Sequence, residues 1–205
     1  MAKRSAPEVN AGSMADIAFL LLIFFLVTTT IEKDSGINRK LPPIQPPDQE
    51  PVILKQKNIF TVLINGKDQL LVEDELMELK DLRKAAVEFL DNGGDGSCTY
   101  CKGKKDIHSS DNPDKAIISL KNERETSYAA YISVQNELVG AYNDLRNRRA
   151  LELGSTAKWS QFRDMNFVEM QDNHKDVRFT GNKTKLKELI DQIKIEIPLK
   201  LSEVQ

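Results

Sequence analysis

"SMADIAFLLLIFFLVTTT", residues 13–30, carries one carboxylate, Asp16, at the mouth of an otherwise unbroken apolar run. From Val9 to Ile31 Asp16 is the only charged residue. At about 1.5 Å of rise per residue, a helix over those positions is about 34 Å long, against a bilayer core of about 30 Å. Started at Ile17, the same helix reaches only about 22 Å. A spanning helix must therefore begin upstream of Asp16, which puts the carboxylate inside the hydrocarbon layer, about two turns from the nearer edge. A carboxylate standing alone at the helix centre costs on the order of 2.5–3.5 kcal/mol, and less nearer an edge. It is tolerated where it faces other protein or a water pocket. Helical spacing puts Gly12, Ser13, Phe19, Leu20 and Ile23 on or near its face. Gly12 and Ser13 are small enough to let a neighbouring helix approach closely.

Two other readings compete for this stretch. In a secretory signal, Lys3 and Arg4 form the basic region and residues 17–27 the apolar one. No A-x-A pattern follows, because the chain continues Thr28-Thr29-Thr30-Ile31-Glu32, and an acid ahead of the apolar region fits poorly. Alternatively, Asp16 caps the helix at the headgroups of a locally thinned membrane. Orientation is nearly undecided by charge, with Lys3 and Arg4 on one side and Lys33, Arg39 and Lys40 on the other. The short N-terminal stub and long C-terminal portion favour an outside C-terminus.

The remainder reads as a foldable soluble domain. Of 205 residues, 40% are apolar and 29% charged, and 29 Lys+Arg stand against 31 Asp+Glu. That balance excludes a nucleic-acid binder held by bulk positive charge. The chain divides into a stub (1–10), a transmembrane helix (11–31), a proline-rich linker (32–57) and an α+β domain (58–205) with a Gly/Cys loop at 92–114. The linker's "LPPIQPPDQEP" (41–51) is extended and semi-rigid by composition.

Within the domain, "NIFTVLINGKDQLLV" (58–72) shows two β-rich runs around Asn65-Gly66, a pair that favours a tight hairpin. Residues 75–90 place Leu76, Leu79, Leu82, Ala86 and Phe89 at helical spacing, and Asp91-Asn92-Gly93-Gly94 ends that helix. "KAIISLK" (115–121) is a buried strand, and a long amphipathic helix covers about 126–150, with Tyr128, Tyr131 and Tyr142 on its apolar side. Residues 155–182 are poorly patterned. A helix follows over about 183–193, and "KIEIPLKLSEV" (194–204) alternates as a last strand, with Pro198 at an edge or bend. The order is β-β-α-β-α-α-β, a small mixed sheet with helices on one face.

Cys98 and Cys101 admit three readings. With His108 they offer three zinc ligands and no evident fourth. A redox pair should open a helix in a βαβ setting, whereas these lie in a glycine-rich loop. In an oxidising compartment a local disulfide is favoured. "LRNRRALE" (145–152) reads as a solvated helix end whose arginines complement the dipole. Asn182 reads as a plain N-terminal cap.

The N-terminal fifty residues resemble the ExbD/TolR family of biopolymer-transport proteins. The family's helix is entered through an N-x-x-P-L-x-D type segment and ends in V-T. Asn10 stands six before Asp16, Val27-Thr28 lies at the far end, and Leu41-Pro42 resembles the family's Leu-Pro just past the membrane. "KAIISLKNERETSYAAYISVQNEL" (115–138) is similar to the family's strand, polar turn and helix. Ser13 stands where the family usually has proline and Met14 where it has leucine, and residues 92–111 and 155–182 look like insertions.

The resemblance implies a non-enzymatic subunit of a proton-driven motor in the inner membrane of a Gram-negative bacterium, with a cytoplasmic N-terminus and a periplasmic C-terminal domain. It implies that Asp16 carries the proton, with no cofactor beyond protons as coupling ion. The implied partners are a pentamer of an ExbB/TolQ-like multi-helix protein around a dimer of this chain, a TonB-like periplasmic protein and the lipid bilayer. Asn10, Ser13 and Thr28 would support the proton path; the alternative for Thr28 is a bond back to its own helix. The alternative function is a membrane-anchored assembly module of TolR-like kind, in which Asp16 only fixes helix registry.

Overall fold

The computed structural model describes residues 11–28 and 55–204, which fall into two separate units. The first holds helix α1, Ala11–Thr28. Its 18 residues give about 27 Å of rise. Among the described residues no helix is long and apolar enough to cross a membrane. Asn10 with the rest of residues 1–10, positions 29–31 of the expected transmembrane helix and linker positions 32–54 lie outside the described residues.

The second unit is built on a five-stranded mixed sheet in the order β3-β2-β1-β4-β5. Strand β1 (Ile59–Ile64) pairs antiparallel with β2 (Leu70–Val72), and β2 with β3 (Glu75–Met77). On its other side β1 pairs in parallel with β4 (Ile117–Asn122), and β4 in parallel with β5 (Leu201–Val204). The alternation of the sequence decides which face is buried. Phe60, Val62 and Ile64 of β1 meet Leu70 and Val72 of β2 and Ile118 and Leu120 of β4 on one side, all buried. Helices α2 (Leu79–Leu90) and α3 (Tyr128–Gly154) cover that side with Leu82, Ala86, Phe89, Leu138, Ala141, Tyr142 and Leu145. The opposite face carries Ile59, Leu63, Leu71 and Ile117, each half-buried.

Several local expectations are corrected. The Asn65-Gly66 connection is not a two-residue turn. Asn65 Oδ1 accepts from the backbone of Lys67 and Gln69, both at 2.9 Å, and Asp68 takes the positive φ of 60°. Side-chain acceptance by asparagine builds an Asx turn, which spreads the reversal over more residues. Residues 75–77 form β3 rather than the start of a helix, so Leu76, which shares the helical spacing of Leu79, stands 71% exposed on an edge strand. The last strand is shorter than 194–204, because the preceding helix runs on to Glu196.

The unpatterned stretch 155–182 folds. A 3-10 turn over Ala157–Phe162 leads to α4 (Phe167–Lys175), entered through a capping box in which Asn166 and Glu169 exchange bonds. Helix α5 (Lys183–Glu196) follows, capped by Asn182, whose side chain accepts from the Lys185 backbone at 3.0 Å. These elements enclose a second core of Trp159, Phe162, Phe167, Met170, Leu186, Leu189, Ile190 and Ile193, distinct from the one under the sheet. Of the three tyrosines on α3, Tyr142 is fully buried and Tyr131 half-buried, while Tyr128 is 77% exposed. Burial raises the Tyr142 pKa, and its hydroxyl donates to the Lys200 carbonyl at 3.2 Å, tying α3 to the approach of β5.

Candidate functional site

Helix α1 is apolar on every side. Met14, Ile17, Phe19, Leu20, Leu21, Leu22, Phe24 and Phe25 are all more than half exposed. A helix of this composition that is hydrophobic all round needs an apolar medium or partner helices to cover it. Asp16 is exposed on this surface, between Gly12 one turn before and Phe19 and Leu20 one turn after, with Ile23 two turns along. A single carboxylate in an apolar cylinder is the one group there able to take up and release a proton. Ser13 and Thr28 lie in the same helix, at the turn before Asp16 and at the helix's last residue.

Cys98 and Cys101 are joined by a disulfide, with Cα atoms 5.5 Å apart. The bond lies in the loop of residues 91–116 between α2 and β4. Both cysteines are buried, at 9% and 8% exposure. The loop is otherwise held by backbone and side-chain bonds rather than by apolar packing. Asn92 Nδ2 donates to the carbonyls of Asp106 and Ser110, both at 2.8 Å, and Gly93 adopts φ +67°.

At the far end of the loop Asp111 is buried beneath Lys57, Lys55 and Asn58. Asn58 Nδ2 donates to its carboxylate at 3.2 Å, and Asn58 Oδ1 accepts from its backbone N–H at 2.8 Å. Lys57 forms an ion pair with it. The Lys57 ammonium is the largest influence, holding the Asp111 carboxyl below the usual carboxylate range against the opposing effect of burial. A carboxyl with a depressed folded pKa stabilises the fold above its unfolded pKa, near 3.9, and that contribution is lost as pH falls through the lower folded value. Acid titration of unfolding, followed by circular dichroism, should therefore show a loss below about pH 4 that Asp111→Asn flattens, at a cost of about 1–3 kcal/mol at neutral pH.

The arginines at the end of α3 are not the solvated dipole partners that their sequence suggests. Arg148 grips the buried Asp91 with two bonds, Nη1 to Oδ2 at 2.7 Å and Nη2 to Oδ1 at 2.5 Å. Arg149 Nε donates to Glu196 Oε2 at 2.6 Å. Arg146 is buried, its guanidinium 5.3 Å from the centre of the Phe167 ring, and its Nε donates to the Ile197 carbonyl at 2.9 Å. Asp91 and Glu196 lie 57 and 47 residues away along the chain, and only the weaker contact of Arg149 with Glu152, at 3.4 Å, is local.

The comparisons with known proteins agree with the N-terminal pattern. A family model described as "Biopolymer transport protein ExbD/TolR" matches residues 2–146. The Biopolymer transport protein exbD2 of Vibrio cholerae serotype O1 is 32% identical over 66 residues, which are 32% of this chain and 46% of that protein. The chain therefore matches less than half the length of that relative.

Proposed function

Because the chain belongs to the ExbD/TolR family of biopolymer transport proteins, whose members are non-enzymatic transport components, we propose that it is the proton-carrying subunit of an energy-transducing complex. That complex sits in the inner membrane and uses the proton-motive force to power TonB-dependent import across the outer membrane. The observation that carries the reading is Asp16, alone among apolar residues on α1. Over its 18 described residues α1 rises about 27 Å, against a bilayer core of about 30 Å.

The physics of that position supports the role. Loss of hydration disfavours a charged carboxylate in apolar surroundings. Movement of one charge through the membrane field is worth about 2.3 kcal/mol per 100 mV, comparable to the burial cost of the charge. Gain or loss of a proton at Asp16 therefore decides whether its face prefers a dry interface or a wet one. A small residue at Gly12 allows a second helix to present that interface. The domain after the linker, placed in the periplasm, would pass force to a TonB-like protein. The similarity to exbD2 favours this ExbD-like role over a TolR-like one.

Purification of the chain from its native membrane, with mass measurement of the intact complex, tests the assembly. The expected result is a dimer of this chain within several copies of a multi-helix partner of ExbB/TolQ type. A chain recovered alone, or only with soluble proteins, would overturn the proposal.

A further inference from the structure

The loop at 91–116, which contains the inserted-looking 92–111, and the helical extension at 155–196, which contains 155–182, are held to each other through the end of α3. The Tyr100 hydroxyl donates to the Glu196 carbonyl at 2.7 Å. The Arg149 guanidinium lies 4.7 Å from the centre of the Tyr100 ring and is bonded to the Glu196 carboxylate. Lys102 pairs with Glu152, and its backbone N–H donates to Asp91, the residue that Arg148 holds. Tyr100 and Lys102 flank Cys101, and Tyr100 lies inside the short ring closed by the Cys98–Cys101 bond. The ring packs closely on the backbone of Gly93, where a Cβ would stand 3.0 Å from the Cys101 Cβ. Glu196 is the last residue of α5, and the chain then runs by Ile197 and Lys200, both held by α3, into the edge strand β5.

We propose that the Cys98–Cys101 disulfide is a redox-operated latch that fixes the C-terminal end of α5, and with it the lead into β5, to the loop. The proposal rests on the periplasmic placement above, where a disulfide persists. Closed, the ring holds Tyr100 against Arg149 and Glu196. Opening is thiol–disulfide exchange with a dithiol donor. One donor thiolate attacks a protein sulfur, the Cys98–Cys101 bond breaks, and a mixed disulfide forms. The donor's second thiolate then attacks its own sulfur in the mixed disulfide. The protein leaves with two thiols, having gained two electrons and two protons, and the donor leaves as a disulfide. With the ring open, residues 98–101 regain backbone freedom and Tyr100 leaves Glu196.

Hydrogen exchange of the full chain in detergent, oxidised and after dithiothreitol, tests this. On reduction, amides 192–197 should exchange about 20-fold faster, the chain-entropy value for so short a ring, while β1 and β4 stay protected. Tyr100→Phe keeps the disulfide but lacks the hydroxyl. It should show faster exchange at 192–197 when oxidised and little further change on reduction. Acceleration confined to 96–104, or loss of protection in β1 and β4 together with 192–197, would overturn the latch. Alkylation in intact cells is read separately. Thiols that stay free under every growth condition would overturn the periplasmic placement and leave the exchange result on the oxidised protein to decide the latch, whereas thiols that appear only under reducing growth are the open latch.

Discussion

Replacing Asp16 by asparagine is expected to abolish gradient-dependent uptake of large ligands, down to the level of cells lacking the chain, while the protein stays in the membrane. The amide is nearly the same size, so the close approach allowed at Gly12 is kept. It cannot take up a proton, so the field no longer acts on a charge at this position. That interaction, about 2.3 kcal/mol per 100 mV, is a bias of about 50-fold between the two environments of the helix face, and its loss leaves no direction to the motion. Asp16→Glu keeps the proton but lengthens the side chain, and should retain partial uptake. Uptake and complex recovery should be measured on the same membranes. Normal uptake by Asp16→Asn would sink the proton-carrying role. If the complex itself falls apart in that variant, with uptake lost only in proportion, the assembly-module reading gains the ground.

The second large effect lies in the helical extension. Trp159→Ala removes the largest side chain from a core it shares with Phe162, Phe167, Met170 and Leu186, none of which belongs to the core beneath the sheet. Truncating a buried tryptophan costs about 3–5 kcal/mol, of which part is the cavity left behind. Because the two cores are distinct, that loss should fall on residues 155–196 first. Thermal unfolding is expected to show one transition in the parent and two in Trp159→Ala, an early one for the extension and a later one for the sheet. Hydrogen exchange should place the early one in α4 and α5. A single transition shifted as a whole would mean that the long helix α3 couples both cores into one cooperative unit.

The sheet and its three long helices were legible because their periods differ. The spacing of Leu82, Ala86 and Phe89 reads as a helix, and the β-rich run Ile59–Ile64 ahead of Asn65-Gly66 as a strand. Strand β3 was hidden because three residues carry too little period to outweigh the helical spacing of Leu76 with Leu79. The turn before it bends through positive φ at Glu73 and Asp74, which no glycine announces. Helix α4 was missed although Asn166 and Glu169 stand three apart, with the apolar pair Phe167-Val168 between them, the spacing of a capping box. Asp16 was singled out from length alone, since a helix begun after it would be too short to span. The buried pairs of Arg148 and Arg149 were beyond local reading. Their acids arrive from the other side of the fold, and a run of arginines at a helix end looks the same whether or not an acid awaits it.

The parallel pairing of β4 with β5 has a consequence for how the domain comes into being. Ile118 and Leu201 are neighbours across strands yet stand roughly 80 residues apart in the chain, with the entire helical extension made between them. Closing so long a loop is entropically slow, so the outer edge of the sheet should be the final piece set in place during maturation. Until then β4 offers a bare hydrogen-bonding rim beside Ile118 and Leu120, a natural foothold for a chaperone or for a wrong strand. Folding of this domain is thus expected to depend on escort factors more than its modest size suggests.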